Sequence, residues 1–272
     1  TKGGIEIKIF PASQLGTEEA ITEGIIFGAI DMCISGAGQI GNLFKPMNVC
    51  EMPYTFRDND HVLRFAKSDI AKEMFADLEK EFMVKVLSAG SFGIRHIISN
   101  KPIRTPEDLK GFKLRVPEQQ ITLEYAKAMG ADPSPIAFAE AYMALQQGVV
   151  DGSENPLSVI KAKKFYETQK YISLTAHVTN TCFFLMNGDK FNSLSKKYQD
   201  ILLSACEEAT QFIVDLLNKD DQELGAFFEG EGVTIIEPDI EAFKKATSHM
   251  PVKFRKWWIR YGADLHQRIQ DL

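Results

Sequence analysis

Between Ser195 and Phe228 the chain runs for some 30 residues without a proline, and no strong break precedes Gly225. Apolar residues recur at helical spacing throughout: Ile201, Leu202, Ala205, Ala209, Phe212, Ile213, Leu216, Leu217, Leu224 and Phe227. Ser195 can cap the start. At about 1.5 Å per residue, such a helix is about 45 Å long. That exceeds the diameter of one small domain, so the helix is expected to lie along two. A chain of 272 residues is long enough for two bodies with cores of their own.

Elsewhere strand and helix patterns alternate. Alternating Ile5, Ile7 and Ile9 read as a strand. Residues 18–27 read as a helix stopped by Gly28, and 29–35 as a buried strand. "SGAGQIGN" (35–42) is read as a plain loop and "KPMNVCEMPYTF" (45–56) as a proline-punctuated loop. A single helical pattern spans 61–82 through Leu63, Phe65, Ile70, Met74, Phe75 and Leu78. "FMVKVLSAG" and "GIRHIISN" read as two strands, and "RTPEDLKG" (104–111) as one capped helical turn stopped by Gly111. "LRV" is a strand ended by Pro117, and a helix spans 118–129. "SPIAF" is a strand and "AEAYMALQQG" a helix. "VVDGSENP" is a strand entering a turn, and "PLSVIKAKKFYE" is a helix. "TCFFLMNG" and "GVTIIEP" are strands, and the final helical region carries Trp257 and Trp258. This alternation is the mark of α/β layers on a largely parallel sheet. No repeat, low-complexity tract or flexible linker separates two domains. The chain is therefore expected to cross between them more than once, as in hinged binding proteins.

Composition narrows the function. With 31 Lys+Arg against 37 Asp+Glu, the net charge is −6, which argues against nucleic acid or an anionic membrane as the main partner. No run approaches the roughly 18–20 apolar residues that cross a bilayer. The first residues, "TKGGIEIKIF", do not read as a signal peptide, so the chain is either cytosolic or has had its signal removed. Cys33, Cys50, Cys182 and Cys206 show no Cys-x-x-Cys pair. They are read as buried small side chains, with one disulfide as the alternative. No nucleophile elbow and no metal-binding histidine spacing occurs. "GAGQIG" (36–41) fits a dinucleotide fingerprint, but the strand–helix context that gives the fingerprint meaning does not follow it. No cofactor or metal is expected.

Two arginines stand out, each in a short strand between apolar neighbours: Arg95 in "GIRHI" and Arg115 in "KLRVP". Either the stem is packed and the head reaches water, or the guanidinium is aimed into a cleft, where its planar fork suits a carboxylate. Pro117 ends the Arg115 strand, and ligands of α/β sheets bind at strand carboxyl ends. Asn155, just before Pro156, is either a helix N-cap or an amide reaching a ligand. Phe138 is either core or a wall against a carbon skeleton.

"GGIEIKIFPASQLGTEEA", "GIRHIISNKPIRTPEDLKGFKLRVP", "PIAFAEAYMALQQGVVDGSENPLSVIKAKKFYE" and "TAHVTNTCFF" closely resemble the solute-binding proteins of TRAP transporters, the DctP type. The resemblance runs over essentially the whole chain. It implies a two-lobed α/β periplasmic-binding-protein fold with a long helix spanning both lobes. Lobe I would comprise 1–92 plus about 181–220, and lobe II about 93–180 plus 221–272. It implies a periplasmic monomer, soluble and not membrane-inserted, feeding TRAP membrane subunits. It also implies residue roles. Arg115 matches the carboxylate-clamping arginine, Arg95 the second arginine of many members, Asn155 an asparagine on the carboxylate, and Phe138 an aromatic pocket wall. His177 and Asn180 fall in a variable segment near the hinge, and Glu18 lies near the cleft edge. Members usually begin with one more strand and helix before "GGIEIKIF", so that unit is expected to be missing here. Where acid-sugar binders carry acidic residues after the second strand, this chain has "SGAGQIGN".

The expectation is a non-enzymatic receptor for a small organic anion: a dicarboxylate, a sugar acid, another carboxylate or a phosphate ester. The alternatives are a ligand sensor coupled to a signalling receptor, and an α/β enzyme using Asp151 and Glu154 as acid and base.

Overall fold

The long amphipathic run is one helix, Lys196–Gly230, of 35 residues, about 52 Å in length. Two strands match it. The computed structural model describes residue 1 and residues 3–272, and in it "FMVKVLSAG" and "GIRHIISN" join into one 16-residue strand. "TAHVTNTCFFLMN" lies within another strand, of 17 residues. Both exceed the usual strand of 3–10 residues.

The seven strands are β1 (Met32–Gly36), β2 (Val84–Ser99), β3 (Lys113–Val116), β4 (Asp132–Pro135), β5 (Gly152–Pro156), β6 (Tyr171–Asn187) and β7 (Thr234–Ile236). Their order is β1-β6-β2-β5-β3-β4, with β7 also on β6. The sheet is mixed rather than largely parallel. β6 pairs antiparallel with β1 and β2, and β2 antiparallel with β5. Only β3–β4, β3–β5 and β6–β7 run parallel. The long antiparallel β2–β6 ladder is what alternation of elements along a sequence cannot reveal.

That ladder bends where it meets the cleft. Its register shifts between Ser91 and Gly93 and again between Arg95 and Ile97. Gly93 takes φ +108°, with Pro156 and Leu217 so close that a Cβ would lie 2.9 Å and 3.2 Å from their side chains. The glycine read as the start of a second strand therefore sits at a bulge within one longer strand. The long helix crosses β2 nearby. Ser88 Oγ lies 2.7 Å from Thr210 Oγ1, and a side chain at Gly90 would collide with Thr210.

Several other readings need correction. Residues 5–10 form no strand: they pair with no neighbour and leave Ile7, Ile9 and Phe10 exposed. β1 is only partly buried, and Ile34 stands out at 53% exposure. The pattern 61–82 is two helices, Asn59–Lys67 and Asp69–Phe82, split at Ser68, which caps the second through Ala71 N. "GAGQIG" is neither loop nor nucleotide turn but opens a helix, Ala37–Leu43. Its glycines permit close packing: a Cβ on Gly38 would lie 2.1 Å from Gln119 Oε1, and one on Gly41 2.5 Å from Asn48 Oδ1. "KPMNVCE" is a buried 3-10 helix, Lys45–Glu51. Asn155 lies inside β5 and Pro156 takes the N-cap position, so the N-cap role fails. The turn at "RTPEDL" is as expected, with a Thr105–Asp108 capping box.

The core has three clusters, the largest running from Ile25 and Phe44 through Leu114 and Tyr125 to Trp258 and Ile269. The C-terminal segment reaches back onto the helices of 59–82, where Tyr261 Oη donates to Asp77 (2.6 Å) and Ile269 O lies 2.8 Å from His61 Nε2. All four cysteines are free, with Cys33 half-buried and the other three buried. Among the described residues no helix is long and apolar enough to cross a membrane.

Candidate functional site

A cleft opens where β1, β2, β3, β5 and β6 approach one another, enclosing about 890 Å³ including its mouth. Six of the seven residues singled out from the sequence line it: Glu18, Arg95, Arg115, Phe138, Asn155 and Asn180. His177 does not.

Arg115 is the anomaly of this cleft. Leu114 and Val116 are fully buried, and the strand they pack carries Arg115 inward at 1% exposure. Its Nε and Nη2 both donate to Ile136 O, at 2.9 Å and 2.6 Å. Nη1 is buried and has no partner. The Phe138 ring centroid lies 5.8 Å from its central carbon. Burial pulls the guanidinium pKa down to about 10. Arg95 adds to that fall, while Glu154 and Glu18 oppose it. The fold thus holds, in the cleft lining, a dehydrated cation with one donor unused, an arrangement that costs free energy.

Arg95 has a different environment. Its Nε donates to Glu154 Oε2 and its Nη2 to Glu154 Oε1 at 2.7 Å and to the Glu154 carbonyl at 2.6 Å. Nη1 donates to Asn180 Oδ1 at 2.9 Å. Four of its five N–H groups are engaged, so Arg95 is mainly a paired, structural cation with one donor to spare. Burial alone would push the Glu154 pKa up, but Arg95 and His177 hold it down to about 2. His177, fully buried, stands behind this pair: Nε2 is 3.3 Å from Glu154 Oε2 and Nδ1 is 2.8 Å from Thr175 Oγ1. It steadies the pair and does not face the cleft.

Asp151 and Glu154 do not act together. Asp151 Oδ2 accepts from Lys113 N at 2.9 Å and ties β3 to the start of β5. Glu154 stays ionised inside its pair, unable to trade protons near neutral pH. Among the described residues, no group of three or more His, Cys, Asp and Glu side chains is placed to hold a metal ion.

Sequence reasoning missed Glu51. It ends the 3-10 helix Lys45–Glu51, is 2% exposed and lines the cleft. Asn180 Nδ2 donates to its Oε1 at 2.7 Å, and Thr181 Oγ1 lies 3.5 Å from the same oxygen. Among the described residues no side chain hydrogen-bonds to Oε2, and the Thr181 backbone adds a further hydrogen bond to the carboxyl. Burial pushes its pKa up to about 7, against the pull of Arg95 and Asn180. The signal was present: an acid inside the apolar run "VCEMPYTF" is as out of place as Arg115 in its strand.

Comparison with known proteins agrees with this architecture. The DctP family model, "Bacterial extracellular solute-binding protein, family 7", matches residues 1–256. The chain belongs to that family. Like other family 7 members, it is a solute-binding receptor of the extracytoplasmic type. The sialic acid-binding periplasmic protein SiaP of Vibrio cholerae is 33% identical over 254 residues, covering 93% of this chain and 79% of SiaP. The 2,3-diketo-L-gulonate-binding periplasmic protein YiaO of Escherichia coli is 32% identical over 274 residues, covering 100% and 83%. Among solved structures, a TRAP periplasmic solute-binding protein of Haemophilus influenzae with bound L-gulonate superposes with a TM-score of 0.93 at 31% identity, covering 99% of this chain and 89% of that one.

Proposed function

We propose that this family 7 receptor captures a small hydroxylated carboxylate, of the sugar-acid type, and presents it to TRAP membrane subunits. One observation carries the reading: Arg115, whose Nη1 is buried without a partner, lines the cleft. A carboxylate there completes the guanidinium with a charge-assisted bond in a dry setting. Polar side chains elsewhere in the lining suit hydroxyls: Thr22, Ser35, Gln119, Thr122 and Thr181. The ligands named for the three relatives above are all sugar acids, which supports the choice.

The two lobes divide where β2, β6 and the long helix pass the cleft, near residues 93, 180 and 220. Ligand contacts from both sides favour the closed state over the open one. The receptor works as a monomer in the periplasm and returns its ligand unchanged. Asn155, whose Oδ1 accepts from Ser153 Oγ at 2.9 Å, offers its amide N–H groups to the ligand. Phe138 forms the wall beside Arg115, and Glu18 stands at the rim.

A thermal-shift screen against organic acids tests this. At 100 times its dissociation constant a ligand adds about 2.7 kcal/mol of stability, and at least one C4–C9 sugar acid should do so. Mass spectrometry of the released ligand should recover it intact. Stabilisation by no acid, or by neutral sugars only, would refute the reading.

A further inference from the structure

The charges around the cleft leave two residues uncompensated. Arg95 and Glu154 neutralise each other at close range, His177 is held neutral by burial, and Arg115 has no acidic partner within salt-bridge distance. Glu51 is the remaining buried acid of the lining. The groups that face it are Arg95 on β2, already paired, Glu154 on β5, which repels it, and Asn180 and Thr181 on β6, which donate to it. Cys50 is its buried chain neighbour, and Glu51 helps keep that thiol protonated.

We propose that Glu51 is the specificity residue of the cleft: its Oε2, which no side chain holds, accepts a hydrogen bond from a ligand hydroxyl, and its charge rejects acids that carry a second carboxylate. The inference rests on the sugar-acid reading and sharpens it, because Arg115 alone would accept a dicarboxylate as readily as an aldonate. A hydroxyl offers Oε2 a donor, and the resulting bond is charge-assisted. A second carboxylate offers no donor and adds like charge in a dry site. Protonation removes the repulsion, so the discrimination weakens as Glu51 takes up its proton near pH 7.

Calorimetry decides this with two probe sets, C4–C6 aldonates including D-erythronate and L-gulonate, and the dicarboxylates succinate and glutarate. The wild type should bind an aldonate and discriminate against the dicarboxylates at pH 8. For Glu51→Gln the aldonate-to-dicarboxylate affinity ratio should fall by about 10- to 100-fold, the size of a charge-assisted hydrogen bond lost. In the wild type, dicarboxylate affinity should rise by about tenfold from pH 8 to pH 6, as a group with a pKa of about 7 gains its proton. That second measurement needs no variant and stands even where Glu51→Gln folds poorly. An unchanged ratio in a folded Glu51→Gln, or dicarboxylate affinity flat between pH 8 and pH 6, overturns the role of Glu51. Absence of any acid binding to the wild type, or unchanged binding in Arg115→Met, overturns the underlying reading instead.

Discussion

Arg115→Met separates what the arginine does for the fold from what it does for the ligand. In the empty protein the guanidinium sits at 1% exposure with its pKa pulled down to about 10, from a usual value above 12. It is charged at neutral pH in both folded and unfolded chains, so its burial costs the fold roughly 3 kcal/mol. Methionine fills similar space without charge and recovers that cost. It also removes two donors from Ile136 O, a loss of about 1–3 kcal/mol. The balance is a gain of about 0–2 kcal/mol, and at roughly 2–4 °C per kcal/mol for a chain near this size the melting temperature should stay level or rise by up to about 8 °C. With ligand the sign reverses. Losing a buried charged contact costs about 2–5 kcal/mol, so affinity for the best acid from the screen should drop by about 30- to 5,000-fold. Scanning calorimetry of the empty protein and titration of the loaded one give the two numbers. A melting temperature lowered by more than about 5 °C would show that the fold itself holds this cation. Affinity within threefold of wild type would show that the orphaned donor is not the anchor.

Two further outcomes follow from the same geometry. Glu51 titrates at about 7 in the fold against about 4.3 when unfolded, so the stability it contributes is full below the unfolded value and lost as pH rises through about 7. The stability of Glu51→Gln minus wild type should therefore climb between pH 4.5 and pH 8 by roughly 3 kcal/mol, and a flat difference in melting scans would refute the buried, charged carboxyl. Gly152→Ala places a Cβ 2.4 Å from Ile98 O and 2.8 Å from Phe112 Cζ, forcing β5 away from β2, and should cost several kcal/mol in denaturant unfolding. Gly225→Ala, on the long helix with nothing within 4 Å of its Cβ, should instead gain about 0.5–1 kcal/mol.

What the sequence made legible were local conflicts, and what it hid were long-range pairings. Arg115 was readable because a cation in an apolar strand breaks a local rule, and the structure shows the break to be real. Arg95 breaks the same rule in the same kind of strand, yet its charge is answered by Glu154, 59 residues away. Those two meet because antiparallel pairing of β2 with β5 sets Ile97 opposite Glu154 and Arg95 two places on, the diagonal reach of a long side chain. Nothing near Arg95 in the chain announces that register. The same limit explains why Gly93 passed for the start of a separate strand and why "GAGQIG" passed for a loop. Both are permissive stretches whose conformation is decided by what packs on them, Pro156 and Leu217 in one case and Gln119 and Asn48 in the other.

The contrast between the two arginines also explains how one sheet can be rigid and receptive in the same place. A buried Arg–Glu pair with Asn180 and His177 closing its remaining bonds is satisfied without ligand. It holds β2, β5 and β6 in fixed register behind the cleft. Arg115 is set in that frame with Nη1 unpartnered, and Glu51 has one oxygen that no side chain holds. Had Glu154 paired with Arg115 instead, the unmet cation of the cleft would be Arg95, and an acid meeting Arg115 would have to break an existing pair to bind. Because the acid that neutralises Arg95 is spent there, the ligand's carboxylate meets a guanidinium that gains a partner without losing one. On the proposed reading, the free energy stored in that incomplete site is what binding releases, with the anion recognised at Arg115 and the rest of the molecule at Glu51.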